Sequence, residues 1–115
     1  MDLKREFIYF KTFENNWDNM RLTDDDLVEL ENILLENPFI GKIIQGTGGV
    51  RKMRFLLPNK KGKSGGARVL YVDYTSHEII TLMNAYPKGA KDNITEKEKK
   101  LLKSEVERFL KGLKK

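Results

Sequence analysis

Cysteine is absent from the chain, which excludes disulfides and thiolate metal sites and fits a reducing compartment. With a single histidine, a zinc site would need several carboxylates at ligand spacing, and no such spacing occurs. No apolar run is long enough to span a bilayer. The start, Met1-Asp2-Leu3-Lys4-Arg5-Glu6, alternates charge with apolar residues where a signal peptide would build its core. These absences point to a cytoplasmic protein with no membrane partner. The 115 residues give room for one domain, 1–115, and little for a second.

What is present is charge, unevenly placed. The chain carries +5 overall, yet residues 1–37 hold four Lys or Arg against ten Asp or Glu, a balance of −6. Residues 42–74 hold eight basic residues against Asp73 alone, a balance of +7. A concentrated basic segment suits a polyanion such as nucleic acid, while the acidic segment argues against indiscriminate binding over the whole surface.

Element signals are short and alternate in type. Glu6 to Thr12 is aromatic and β-favouring, a first strand. The segment around Trp17 is open between a short helix and irregular chain. Thr23 followed by Asp24, Asp25 and Asp26 is an N-cap with carboxylates at the positive end of a helix dipole. Leu27, Leu30, Ile33 and Leu34 then recur at helical spacing until Asn37-Pro38 stops the run.

Beyond Gly46-Thr47-Gly48-Gly49, the run Val50 to Leu57 alternates with period 2, placing Lys52 and Arg54 on one face and Met53 and Phe55 on the other. Ala67 to Tyr74 and Glu78 to Tyr86 are two more strands, joined by a tight Thr75-Ser76-His77 turn. Three strands with short links favour an antiparallel meander. Thr95 and Glu98 form a capping box, and Leu102, Val106, Phe109, Leu110 and Leu113 give the last helix one apolar stripe to lay on the sheet or the first helix. The fold class is α+β, a small antiparallel sheet of about four strands with packed helices, in the order β-α-β-β-β-α.

Gly62-Lys63-Ser64 imitates the end of a phosphate-binding P-loop. That motif requires Gly-x-x-x-x-Gly-Lys-Ser/Thr before a helix, so that amides at the helix N-terminus hold the phosphates. Leu57 stands where the first glycine belongs, and the β-branched and aromatic run from Ala67 to Val72 follows in place of a helix. Residues 58–66 are instead a basic, glycine-rich hairpin loop, with Lys60, Lys61 and Lys63 at its tip. Lys52, Arg54 and Arg68 in the flanking strands can converge on one face, where they would surround a phosphate chain. His77, the lone imidazole, falls in a turn and is expected to be an exposed turn residue; Tyr71 and Tyr74 are expected to pack within their strand.

Three blocks in unbroken order, Gly46 to Arg54, Gly62 to Tyr71 and Leu82 to Lys88 with Asn93-Ile94-Thr95 after it, resemble the HigB branch of the RelE-like toxins. The likeness covers roughly residues 25–110. It implies an α+β domain and the toxin half of a bacterial type II toxin–antitoxin pair, a ribosome-dependent mRNA endoribonuclease. No metal or other cofactor is implied, because the RNA's own 2′-hydroxyl attacks the adjacent phosphate. The partners implied are the ribosome, mRNA and a cognate antitoxin, usually a helix-turn-helix protein through which alone DNA is reached.

Residue by residue, the resemblance sets Arg51, Lys52 and Arg54 in a cationic cluster and Arg68 on the scissile phosphate. Tyr86 and Lys88 match a Tyr-x-Lys segment, with Tyr86 a proton donor or a stacking surface. A lysine general base would need a pKa depressed by neighbouring cations, and the choice between Lys52 and Lys63 stays open. Lys60, Lys61 and Lys63, read from the charge of their loop, are expected to grip RNA. Relatives often carry tyrosine or histidine near the C-terminus, where this chain ends Phe109-Leu110-Lys111-Gly112-Leu113-Lys114-Lys115, so the general acid stays open. Two other functions use the same basic face: a non-catalytic RNA- or DNA-binding module, and a co-repressor acting with its antitoxin at operator DNA.

Overall fold

The computed structural model describes residues 4–56, 66–89 and 93–113. Its strands are β1 (Glu6–Tyr9), β2 (Lys42–Ile43), β3 (Arg51–Phe55), β4 (Ala67–Tyr74) and β5 (Ile79–Pro87). Its helices are α1 (Lys11–Asn19), α2 (Asp24–Glu36) and α3 (Glu96–Leu113). One sheet holds all five strands in the order β1-β5-β4-β3-β2. The expected meander is present, since β3, β4 and β5 pair antiparallel in succession.

Two features differ from the expected sheet. β1 runs parallel to β5, so the sheet is mixed. β2 adds a fifth strand, only two residues long, paired with Arg51 and Lys52; a two-residue strand is too short to carry a period in sequence.

The region around Trp17 is helical because of what it buries. Phe13 and Trp17, one turn apart on α1, are both buried and stack with ring centroids 5.2 Å apart. Trp17 then leans on Phe55 of β3 at 5.6 Å. α2 begins at a reciprocal capping box: Asp26 N–H donates to Thr23 Oγ1 (3.1 Å) and Thr23 N–H to Asp26 Oδ2 (2.9 Å). Leu30 and Leu34 are its fully buried anchors, and it stops at Glu36, before Asn37-Pro38. Thr95 and Glu98 cap α3 in the same way, at 2.9 and 3.1 Å.

The sheet separates two cores. Phe13, Trp17, Leu30 and Leu34 of the first two helices pack on Met53, Phe55, Val69, Tyr71, Ile80 and Leu82. On the other side Val106, with the half-buried Leu102, Phe109 and Leu113 of α3, packs on Leu70, Val72, Tyr74, Ile79 and Met83. Phe109 ties this layer to the rest, 5.0 Å from Tyr74 and 6.4 Å from Phe10. Each such large apolar side chain contributes about 1.5–3 kcal/mol on burial, which is what fixes α3 on the sheet. Among the described residues no helix is long and apolar enough to cross a membrane.

Candidate active site

Lys52 and Arg54 of β3 project on the side opposite Met53 and Phe55, as period 2 requires, and therefore on the α3 side of the sheet. The register aligns their partners. Arg54 lies directly across from Arg68, and Arg68 directly across from Tyr86, making one row over three adjacent strands. In the next row Lys42 of β2 lies across from Lys52.

Direct cross-strand partners have Cβ atoms about 4.5–5.5 Å apart, and like charges so placed destabilise a sheet. Two such pairs sit side by side here. They line a groove of about 490 Å³ bordered by Ile40, Lys42, Lys52, Met53, Arg54 and Arg68, with no α3 residue among its described lining. A second hollow of about 310 Å³ shares Lys42 and Lys52 and adds Lys99 of α3, so the basic surface continues toward that helix.

Asp73, the one acidic residue between positions 42 and 74, lies near the far end of β4, where Arg5 grips it through two hydrogen bonds of 2.7 and 3.2 Å. Both side chains of that pair are nearly fully buried, and the bond to Asp73 raises the Arg5 pKa further above its ordinary value. At the groove, Arg68 Nη1 is buried and makes no hydrogen bond among the described residues. A buried donor without a partner costs about 1–3 kcal/mol, a cost that an incoming anionic oxygen removes.

Lys42, to which the sequence reading gave no role, reaches the groove because the segment before it is clamped. Gly41 N–H donates to Tyr71 Oη (2.9 Å), Tyr71 Oη donates to Pro38 O (2.8 Å), and Arg51 Nη1 donates to Gly41 O (2.7 Å). A Cβ at Gly41 would meet Tyr71 Cε1 at 2.9 Å and Lys52 O at 3.0 Å, so only glycine allows this close approach. Burial raises the Tyr71 hydroxyl above its ordinary pKa, and it remains a neutral strut.

Arg51 is accordingly not beside Lys52 and Arg54. It shares the phase of Met53 and Phe55, clamps the 38–41 segment, and sits 5.2 Å over the Phe39 ring. Tyr86 is half-buried in the row with Arg68, and Lys88 N–H donates to Gly66 O at 3.1 Å, which holds the end of β5 beside the start of β4. Gly66 itself has φ +90, and a Cβ there would lie 2.0 Å from Phe55 O, so the chain enters β4 through a position that only glycine fills.

Lys60, Lys61 and Lys63, with most of the expected 58–66 loop, lie outside the described residues. His77 is exposed in the 3-10 turn Thr75–His77, beyond the opposite end of β4 from Arg68. Tyr74 lies six residue steps along the strand from Arg68, roughly 20 Å at the usual rise, so the imidazole is remote from the groove. Among the described residues no group of three His, Asp or Glu side chains could hold a metal ion.

Fold and site together define a small mixed α+β domain with cationic side chains gathered at one end of its sheet. The chain belongs to the RelE family, whose model, described as the RelE toxin of the RelE / RelB toxin-antitoxin system, matches residues 7–115. A cognate antitoxin is therefore its implied partner. Among solved structures it is similar in fold to the E. coli toxin RelE in the free state, in a form with two arginines replaced by alanine. That likeness has a TM-score of 0.51 at 16% sequence identity and covers 79% of this chain and 88% of that one.

Proposed function

We propose that the protein is the toxin of a type II toxin–antitoxin pair in the HigB branch, a metal-independent endoribonuclease that cuts mRNA on the ribosome in the cytoplasm. The observation that carries this reading is the pairing of like charges, Arg54 against Arg68 and Lys42 against Lys52, in a groove that α3 leaves open. A fold retains such repulsion where an anion relieves it.

In this reading the message's 2′-hydroxyl attacks the adjacent phosphate, and a cyclic phosphate and a free 5′-hydroxyl are left. Arg68, with its buried Nη1, holds the scissile phosphate and meets the charge that grows on it. Arg54 and Lys52 add to that field. Tyr86, next to Arg68 in the row, serves as proton donor or stacks on a base, and Lys88 neutralises the neighbouring phosphate. Lys60, Lys61 and Lys63 grip RNA from the β3–β4 connection.

The antitoxin, in this branch a helix-turn-helix protein, is expected to cover the cationic face with carboxylates or an obstructing helix. Induction in bacteria tests the reading. Growth and translation should stop within minutes of wild-type induction and continue with Arg68→Ala; a wild-type chain that binds RNA in a salt-sensitive way yet leaves mRNA intact would instead mark a non-catalytic binding module.

A further inference from the structure

Tyr86 reaches the α3 side of the sheet only because β5 changes phase. In its first half, Ile80 and Leu82 point into the core under α1 and α2, while Ile79 and Met83 point into the core under α3. Continued without interruption, that alternation would send Tyr86 to the α1–α2 side, away from Arg68, and Ala85 toward α3. The reverse is found: Ala85 is buried in the first core and Tyr86 packs against the second.

The pairing gives the reason. Tyr71 lies across from Leu82 but Leu70 across from Asn84, so Met83 is one residue more on β5 than β4 supplies, a β-bulge.

A bulge disrupts the ladder and needs something to hold it. Asn84 Oδ1 accepts two hydrogen bonds, from the Ala85 N–H (2.8 Å) and from Asn16 Nδ2 on α1 (2.7 Å). Because a backbone N–H can only donate, the first bond fixes which end of the Asn84 amide is oxygen, and Asn16 must then be the donor. β1 makes its last rung at Leu82, where Tyr9 pairs with it and the Phe10 N–H donates to its carbonyl. From there on α1, anchored by Phe13 and Trp17, is the element that supports this stretch of β5.

We infer that the Asn16–Asn84 amide pair is a positioning device for Tyr86: it pins the phase change in β5 that sets Tyr86 beside Arg68 on the substrate side. The inference rests on the nuclease reading for its consequence, though not for its geometry. Neither asparagine lines the groove, and both act through Tyr86.

Two measurements decide it. In ribosome-dependent cleavage by the full chain, Asn84→Ala should lower kcat about tenfold with KM changed less than about twofold, as a misplaced group does. Asn84→Asp, which keeps the acceptor, should restore most of the rate. Asn16→Ala, at a half-exposed helix position, should reproduce part of the loss even where Asn84→Ala folds poorly.

In a Tyr86→Ala background Asn84→Ala should add little, because both changes remove one function. Equal losses in both backgrounds, an Asp variant as slow as the Ala variant, or no loss at all would overturn the inference. The second measurement is made on the protein alone. Asn84→Ala should shift the Tyr86 ring resonances and speed exchange of the Ala85 amide about tenfold, leaving Leu30 protected; unmoved Tyr86 resonances would refute the positioning role. A wild-type chain that cleaves nothing, with the ring resonances shifting as expected, would sink the nuclease reading and leave the device standing.

Discussion

Arg68 and Leu70 stand two residues apart on the same face of β4, and α3 covers only one of them. Leu70 is 2% exposed beneath Val106 and its neighbours, whereas Arg68 opens onto the groove opposite Arg54. Over most of its length this face therefore serves the fold, and at its end it carries paired cations open to a groove. The difference lies in coverage and pairing, not in strand geometry. Under the helix β4 presents Leu70, Val72 and Tyr74, and beyond it the row is Arg54, Arg68, Tyr86.

Substitutions on either side of that boundary should therefore fail in opposite ways. Leu70→Ala should cost about 2–5 kcal/mol of folding stability, read by denaturant unfolding, with the cleavage rate per folded molecule unchanged. Arg68→Ala should lower cleavage by about 10²–10³-fold, the usual loss of one preorganised donor, while the thermal midpoint holds or rises.

Tyr71→Phe should fall between them, costing about 1–3 kcal/mol because Gly41 N–H loses its acceptor and Pro38 O its donor. It also carries a pH signature. Burial sets the folded Tyr71 pKa above the ordinary 10.0, so its full stabilisation is present below that pH and is lost as the pH rises through the folded value. Tyr9, raised mainly by burial and also by its hydrogen bond to Glu31, acts in the same direction. Alkaline unfolding should thus begin above pH 10 and be shallower in Tyr71→Phe than in wild type.

Lys42→Gln should have the smallest effect. Removing one of two facing lysines should raise stability by about 0.2–1 kcal/mol and reduce the salt slope of RNA binding by about one.

Much of this boundary was legible in the residues. The period of Val50 to Leu57 put Lys52 and Arg54 together, and the β-branched run after Gly66 removed the P-loop. The Thr23 N-cap and the Thr95–Glu98 capping box were also readable. The same period separates Arg51 from Lys52, since Arg51 shares the phase of Met53 and Phe55; the resemblance grouped the three, and the clamp at Gly41 shows where the first belongs.

Other features depend on partners far along the chain. β2 forms where Gly41 approaches the backbone of Lys52, and β1 pairs in parallel with β5, some seventy residues further on. The side of the sheet that Tyr86 faces turns on one extra residue at Met83, which alternation alone cannot reveal.

The central claim is that the uncovered sheet end cuts RNA. Primer extension and 5′-end chemistry on mRNA translated in the presence of purified toxin test it most directly. The account predicts new ends carrying a free 5′-hydroxyl, made with wild type on translated message and reduced about 10²-fold or more with Arg68→Ala. New ends made equally by the Arg68→Ala variant, or none made by a wild-type chain that is folded and free of antitoxin, would contradict it.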